Sequence, residues 1–254
     1  MRGLLVTGTD TGVGKTIVSA ALLAAMAAAG EPVLAHKPVL TGLDGGASDR
    51  WPPDHELLAA VSGMRADEVA PLRYGPAASP QLAAALSGER IDPARLLASV
   101  PADPTKTLIV EGVGGLLTPF ADGYTVRELA VALGFPLVVA ARPGLGTISH
   151  TLLTLEAARG AGLDVRAVIF TPWPERPSAL ELSNREAIAR AAAVAVAELE
   201  WVNAPRPDEL ARAGAQLPWR EWVGACSSRA LVRRISPPPR SEAATRRERA
   251  VARR

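Results

Sequence analysis

The stretch VTGTDTGVGKT, residues 6–16, restricts the possible folds of this 254-residue chain more than any other feature. A short apolar strand leads into a glycine-rich turn that ends in Gly-Lys-Thr, and a helical pattern begins at Lys15. Such a strand, turn and helix place backbone N–H groups and a helix N-terminus around one concavity, which attracts phosphate. We therefore predict a phosphate-binding loop in which Lys15 contacts the β- and γ-phosphates and the Thr16 hydroxyl ligates Mg²⁺.

Apolar runs typical of buried strands alternate with stretches of helical period along most of the chain. The predicted strands are Leu4–Gly8, Val33–Val39, Thr107–Gly112, Pro136–Arg142 and Val165–Thr171. The predicted helices are Lys15–Ala29, Thr125–Leu133, Ser149–Ala161 and Ser178–Ala195. Capping-box spacing, Thr125 with Glu128 and Ser178 with Glu181, supports two of the helix starts. The pattern predicts a single α/β domain of the P-loop NTPase type, with helices on both faces of a parallel sheet.

The end of the chain has a different composition. Residues 229–254 hold nine Arg and two Glu with no apolar period, so the rest of the chain is mildly acidic. We expect a domain over residues 1–224 and a basic, disordered tail over 225–254. A tail that contacts nucleic acid or anionic lipid is the less favoured alternative. Because no segment resembles a leader or a membrane span, and Cys226 is the lone cysteine, we expect a cytoplasmic protein without nucleic-acid or membrane partners.

Two acidic residues are candidates for a second metal contact. In the predicted strand Thr107–Gly112, four strand residues lead to Glu111 at the carboxyl edge, and Gly112, Gly114 and Gly115 leave space for phosphate or substrate beside the backbone. We predict that Glu111 faces the metal; a solvent-facing side chain at a strand end is the alternative. Asp54 follows the sequence WPP and precedes an apolar helix, so it fits a plain N-cap and a third metal ligand equally well.

Lysine is rare in this chain. Of the 28 Lys and Arg residues only three are lysines, namely Lys15, Lys37 and Lys106. Lys37 lies at the carboxyl edge of the second predicted strand, on the rim of the sheet that also carries the phosphate loop. We predict that its ammonium stabilises negative charge near the γ-phosphate, the alternative being a side chain that extends to solvent. Thr41 offers a hydroxyl to a polar substrate. A glycine-rich turn before the helix at Ser149 forms another anion site, suited to a carboxylate.

Four stretches, taken together, resemble the dethiobiotin synthetases: VTGTDTGVGKT, HKPVLTG, VEGVGGLLTPF and GLGTISHTLLTLEA. They follow in this order within residues 4–222. The resemblance implies an ATP- and Mg²⁺-dependent ligase of biotin biosynthesis that closes a ureido ring on 7,8-diaminopelargonic acid with CO₂, releasing ADP and phosphate. The implied intermediates are a carbamate and a carbamic-phosphoric anhydride. A homodimer is implied as well.

The resemblance also assigns site residues. Lys37 and Lys15 would be catalytic, and Thr16, Asp54 and Glu111 would hold Mg²⁺. The nucleotide would contact Gly12, Val13, Gly14, Lys15, Thr16, Ile17, Asp54, Glu111, Gly112, Val113, Gly114, Thr171 and Pro172. The substrate would contact Thr41 and, at a helix start supplied by the partner subunit, Gly146, Thr147 and Ser149. Many members read adenine with an Asn where this chain has Thr171-Pro172-Trp173, so other triphosphates are expected to serve besides ATP.

Two other classes with similar loops are the main alternatives. Cobyrinic acid amidases add a glutaminase domain with a nucleophilic Cys followed by a His, and no His follows Cys226. Partitioning ATPases act as nucleotide switches on DNA or membranes, and the Arg-rich tail is the best support for that interpretation. They carry an early lysine in the loop, however, where this chain has Asp10. Asp10 and Lys37 therefore favour the ligase over the switch.

Overall fold

The computed structural model describes residues 1–45 and 51–226. The strands of the described residues are β1 (Arg2–Gly8), β2 (Val33–His36), β3 (Val39–Leu40), β4 (Leu72–Arg73), β5 (Thr107–Glu111), β6 (Pro119–Ala121), β7 (Tyr124–Thr125), β8 (Leu137–Ala141), β9 (Val165–Trp173), β10 (Ala195–Glu200) and β11 (Gly224–Ala225). The helices are α1 (Lys15–Ala28), α2 (Asp54–Ser62), α3 (Ala66–Val69), α4 (Pro80–Leu86), α5 (Pro93–Ser99), α6 (Val126–Leu133), α7 (Thr147–Gly160), α8 (Ala179–Ala192), α9 (Pro207–Gly214) and α10 (Trp219–Trp222).

The central sheet contains seven strands in the described part of the chain, six of them parallel in the order β10-β9-β8-β1-β5-β2. One buried core joins this sheet to α1, α2 and α9, and a second joins it to α5, α6, α7 and α8. Helices therefore cover both faces, and the predicted P-loop NTPase-like α/β fold is confirmed. The carboxyl ends of β1, β2 and β5 meet at one edge, where the candidate site lies.

Helix α1 is buried along almost its whole length, because it lies between the sheet and two further helices. Residues from Val18 to Met26 are all buried. On the neighbouring helix α9, a Cβ on Gly214 would lie 2.0 Å from the carbonyl oxygen of Ala21. A glycine at this position thus permits the close contact that fixes α1 and the phosphate loop before it.

Several boundaries differ from the sequence predictions for identifiable reasons. The second predicted strand divides at Pro38, which has no N–H group for a strand ladder, so that β2 ends at His36 and β3 pairs elsewhere with β4. The predicted helix Ser178–Ala195 ends at Ala192, because the next residue adopts a left-handed conformation with φ of 49°. Strand β10 and helix α9 were not predicted. Both predicted capping boxes are confirmed.

Strand β11 is the seventh strand of the central sheet. Strand β11 pairs antiparallel with β1, matching Arg2 with Ala225, and the Cys226 N–H donates to the Met1 carbonyl oxygen at 3.0 Å. This pairing extends past residue 224, where the sequence placed the end of the domain. The rest of the predicted tail lies outside the described residues. Across residues 1–45 and 51–226, no helix has the length and apolar character needed to cross a membrane.

Candidate active site

The predicted phosphate loop connects the buried strand β1 to helix α1. Its start is held by the Thr9 N–H, which donates to the Ala140 carbonyl oxygen on the neighbouring strand β8 at 3.0 Å. Gly14 precedes the helix with φ of 91°, a left-handed conformation that favours glycine. A Cβ on Gly14 would also lie 2.8 Å from the Thr171 methyl carbon. Gly14 is therefore required both by the turn and by the close approach of β9.

Val13 belongs to the core and offers only its backbone to the site. Its side chain is 3% exposed and packs on Gly8, where an added Cβ would lie 2.6 Å from Val13 Cγ2. The loop is thus anchored from below by an apolar side chain, while its neighbours Gly12 and Gly14 line the cavity above. This explains how a glycine-rich loop keeps a fixed shape.

Lys15 is nearly buried, and its ammonium donates to the Asp10 carbonyl oxygen at 2.8 Å, across the loop. Burial lowers the pKa of Lys15 to about 8, and the attraction of Glu111 offsets only part of that effect. The described part of the chain shows no carboxylate in ion-pair contact with Lys15. Its charge is therefore available to an anion in the loop.

Lys37 and two carboxylates form a compact buried cluster at the carboxyl edge of the sheet. The Lys37 Nζ donates to Asp54 Oδ2 at 2.5 Å and to Glu111 Oε1 at 2.6 Å, and the Thr16 hydroxyl donates to the same Glu111 oxygen at 2.8 Å. Lys37 is 3% exposed and Glu111 is 1% exposed. Both solvent-facing alternatives are therefore wrong, because these side chains point into the protein.

The charges of this cluster stabilise one another. Burial by itself lowers the pKa of Lys37, but Glu111 and Asp54 outweigh it and raise the pKa above its usual value. Burial raises the pKa of Asp54, and Lys37 outweighs it, so the net shift is downward. Asp54 is the first residue of α2 after Pro53, and its carboxylate contacts Lys37. The plain N-cap interpretation of Asp54 is therefore wrong.

The side chains of Thr16, Asp54 and Glu111 suit Mg²⁺ by their chemistry. All three offer oxygen atoms, which this hard cation prefers, and Glu111 Oε2 is a buried acceptor for which no hydrogen bond is found within the described residues. No group of three His, Cys, Asp or Glu capable of holding a metal occurs in residues 1–45 and 51–226. A metal held here would resemble Mg²⁺ sites that use one or two carboxylates together with substrate phosphates.

A cavity of about 480 Å³ opens above the loop and the charged cluster. The predicted site residues that line it are Gly12, Gly14, Lys15, Thr16, Ile17, Lys37, Thr41, Asp54, Glu111, Val113 and Gly114. Gly112 lies behind this wall, where its N–H donates to the Val6 carbonyl oxygen at 2.9 Å. Residues far apart in sequence are thus brought to one surface.

A smaller cavity of about 170 Å³ adjoins the first and shares Gly14, Ile17 and Trp51 with it. Thr171 and Pro172, predicted to contact the nucleotide, lie here, joined by a cis peptide bond. Sequence reasoning missed four other lining residues: Trp51, Glu200, Trp201 and Val202. They lie in or beside irregular segments, and the only signal in the sequence was the presence of tryptophans there.

The start of α7 stands apart from both cavities. Gly146 precedes the helix with φ of 86°, Thr147 is buried and Ser149 is exposed, and none of the three lines either cavity. The turn before them is braced by buried Asn184, whose Nδ2 donates to the carbonyl oxygen atoms of Pro143 and Gly144 at 2.9 and 3.1 Å. Within one chain these predicted substrate residues do not join the phosphate loop.

Comparisons with known proteins show which family the chain resembles. A family model described as an AAA domain matches residues 2–204. The ATP-dependent dethiobiotin synthetase BioD of Mycobacterium avium (strain 104) is 40% identical, covering 89% of this chain and 99% of that protein. The proteins of the same name from Mycobacterium sp. (strain JLS) and Anaeromyxobacter sp. (strain Fw109-5) are 37% and 39% identical, covering 85% and 76% of this chain and 95% and 91% of theirs.

A solved structure titled "Structure of Cyanthece apo McdA" has a TM-score of 0.50 with 14% identity, covering 84% of this chain and 90% of that one. At this identity the likeness concerns the fold alone.

Proposed function

The chain belongs to the ATP-dependent dethiobiotin synthetase family, and we propose that it forms dethiobiotin from 7,8-diaminopelargonic acid, CO₂ and ATP, releasing ADP and phosphate. The observation that carries the proposal is the arrangement of Lys15 and Lys37 on one cavity with the phosphate loop. A reaction that joins carboxylated amine to phosphate must hold two anionic groups together. Two lysines at this place suit that task.

The nucleotide would extend over both cavities. Its phosphates would contact the N–H groups of residues 12–17, Lys15 and the glycine-rich segment 112–114, where negative charge is favoured by the start of α1. Its base would enter the smaller cavity, beside Thr171, Pro172 and the two tryptophans. Because no Asn side chain among the described residues lines that cavity, we expect weak selection among bases.

A Mg²⁺ ion would be held by Thr16, Asp54 and Glu111, which line the larger cavity and are joined by hydrogen bonds through Glu111 and Lys37. When bound, it would neutralise charge on the β- and γ-phosphates. The roles of the protein's own groups follow from their positions. Lys15 would bind the phosphates from the loop, and Lys37 would face the reacting group from the rim.

The proposed chemistry runs in three steps. One amine of the substrate adds to CO₂ and loses a proton, which gives a carbamate. A carbamate oxygen then attacks the γ-phosphorus as the bond to ADP breaks, which gives a carbamic-phosphoric anhydride. The second amine attacks the carbonyl carbon, the bond to phosphate breaks, and the ureido ring closes. Each step passes through negative charge that Lys37 and Lys15 would stabilise.

We further propose a homodimer in which the carboxylate of the substrate reaches the α7 start of the partner, while Thr41 contacts the diamine end. Support comes from the separation of Gly146–Ser149 from the cavities of their own chain. Leu117 and Leu153 also expose 54% and 61% of their surface along one cleft, an apolar area suited to burial against a second copy. A cytoplasmic location remains our expectation.

The test is phosphate release by the purified protein with Mg²⁺ and ATP, adding or omitting diaminopelargonate and bicarbonate. We expect release, and dethiobiotin formation, only when both small molecules are present. Lys37→Ala should bind ATP yet lose most turnover. The matched control is Lys106→Ala, which changes a partly exposed lysine and should behave as wild type. Phosphate release that does not depend on diaminopelargonate or bicarbonate but increases with DNA or membranes would favour the partitioning ATPase instead.

A further inference from the structure

We propose that Lys37 and a divalent cation compete for one acidic pair, Asp54 and Glu111, so that Lys37 is an internal competitor that sets the affinity for metal. The inference rests on the proposed function, in that it takes these two residues as metal ligands. It adds a role for Lys37 that precedes any contact with substrate.

The contacts of Lys37 carry the inference. Its Nζ is 2.5 Å from Asp54 Oδ2 and 2.6 Å from Glu111 Oε1, so one ammonium bridges both carboxylates. Mg²⁺ binds oxygen ligands at about 2.0–2.1 Å and demands a near-octahedral arrangement. A metal that used these same two oxygen atoms would occupy the space now filled by the ammonium. The two cations therefore exclude each other at this point.

The Thr16 hydroxyl shows that the shared position is the one next to the phosphate loop. It donates to Glu111 Oε1, the same atom that accepts from Lys37, and Thr16 is the second residue of α1, directly after the loop's lysine. Thr16 and Lys37 thus share one oxygen atom of Glu111, and the same ammonium also contacts Asp54. Any divalent cation that is ligated by Thr16 and Glu111 Oε1 would lie in direct contact with the bridging ammonium.

Movement of the lysine is possible because one side of the cluster is open. Lys37 and Thr41 both line the cavity of about 480 Å³, and a lysine side chain has a flexible four-carbon stem. A cation that enters the acidic pair would repel the ammonium into this cavity. Metal binding would thereby deliver the charge of Lys37 to the place where we expect the reacting carbamate.

The first test measures metal affinity rather than catalysis. Lys37→Met keeps the length of the side chain and removes its charge, and Lys106→Met is the matched control at a partly exposed position. Each protein is titrated with MgCl₂ at constant ionic strength, with thermal unfolding as the readout. We expect Lys37→Met to unfold earlier without magnesium and to bind Mg²⁺ at least about tenfold more tightly than wild type, because a competing charge has been removed. Equal or weaker binding overturns the proposal.

The variant Asp54→Asn distinguishes a failure of the proposed metal ligands from a failure of the proposed competition by Lys37. If Asp54→Asn weakens Mg²⁺ binding while Lys37→Met fails to strengthen it, the metal ligands stand and the competition is wrong. If Mg²⁺ stabilises wild type and Asp54→Asn equally, with and without ATP, the proposed metal ligands are wrong as well. Both the metal ligands and the competition are supported if Lys37→Met binds Mg²⁺ more tightly than wild type and the double variant Lys37→Met/Asp54→Asn does not.

A second measurement needs no variant and holds even if Lys37→Met does not fold. The chain has three lysines, so its ¹⁵N-labelled lysine ammonium groups give a small set of NMR signals. We expect titration of wild type with MgCl₂ to move the Lys37 signal along the same binding curve as the thermal shift, and to leave Lys106 unchanged. A Lys37 signal that stays in place while the protein is saturated with Mg²⁺ overturns the competition.

Discussion

Lys15 and Lys37 line the same cavity, yet their surroundings shift their pKa values in opposite directions. Lys15 is buried beside a backbone carbonyl group, and burial lowers its pKa. Lys37 is buried too, but two carboxylates contact it directly, and its pKa is raised. The residue type at a motif position therefore does not by itself determine the pKa of the side chain. The pKa is determined by the groups within a few ångströms of it.

The lowered pKa of Lys15 predicts that ATP binding weakens in alkaline solution. Between pH about 8, the pKa of Lys15 in the folded protein, and the usual lysine pKa near 10.4, the folded protein binds fewer protons than the unfolded chain. The contribution of Lys15 to the free energy of unfolding therefore rises with pH in that range. Phosphate binding, in contrast, requires the protonated form. We expect ATP affinity to fall about tenfold per pH unit above pH 8, measured by calorimetry.

Lys15→Met is the control for this pH dependence. It should bind ATP weakly and with nearly the same affinity across the alkaline range, because the titrating group is gone. Lys37 should stay protonated throughout, since its pKa is raised. Wild-type affinity that is constant up to about pH 9.5 would contradict a phosphate contact by Lys15.

At the scale of elements, helix α6 shows how a local motif supports the site from behind. Its N-cap Thr125 accepts from the Arg127 N–H, and the Glu128 carboxylate accepts from the Thr125 N–H at 2.9 Å. The first residue of the helix, Val126, packs against Gly112, where an added Cβ would lie 2.9 Å from Val126 Cγ1. The start of α6 therefore holds the backbone that follows Glu111.

Thr125→Ala should lower the free energy of unfolding by about 0.5–2 kcal/mol, the usual cost of losing an N-cap. Burial raises the pKa of Glu128, but hydrogen bonds from Thr125 outweigh it and lower the pKa from 4.5 to about 2. This carboxylate therefore stabilises the fold above its ordinary pKa, and the benefit disappears as pH falls towards 2. Denaturant unfolding at neutral and acidic pH should show the difference between wild type and variant shrinking with acid.

Thr154→Ala, within α7, is the matched control for this prediction, because Thr154 donates to the His150 carbonyl oxygen and caps no helix. Its stability should differ little from wild type, since alanine has a higher helix propensity than threonine. A Thr125→Ala protein as stable as the Thr154→Ala protein would show that the capping box contributes nothing measurable.

At the scale of the whole molecule, β11 connects the end of the described chain to its beginning. The backbone of Arg2 and Gly3 pairs with β11, and the Cys226 thiol donates to the Leu133 carbonyl oxygen at 3.0 Å. A domain end placed at residue 224 by composition alone would cut this strand. Composition reports where apolar periodicity stops, whereas strand pairing also depends on backbone groups that any residue supplies.

Two truncations test where the domain ends. Removal of residues 236–254 should leave the melting temperature and turnover at wild-type levels, because the described fold is complete without them. Removal of residues 224–254 should lower stability by about 1–3 kcal/mol, since backbone groups of β1 lose their partners. Thermal unfolding with the phosphate-release assay gives both values. Equal stability of the two truncated proteins would show that β11 adds nothing, and a loss of turnover in the shorter deletion would assign a role to the tail.

The sequence by itself determined the features that depend on neighbouring residues. The order of apolar strand, glycines, Lys15 and Thr16 defines a phosphate loop, because a strand, a turn and a helix start are local structures. The alternation of strands and helices likewise defines the α/β class, and Thr125 with Glu128 marks a helix start. In each case the interacting groups lie within a few positions of one another, so the pattern of residue types contains the information.

Only the tertiary structure decided which distant groups meet. It brought Lys37 to Glu111 across 74 positions and chose the Lys37 contact over the N-cap for Asp54. It also joined Trp51 to Trp201 around one cavity and kept the α7 start apart from the phosphate loop. The physical reason is that burial and charge partners are set by packing between elements, and the spacing of residues along one chain does not specify that packing.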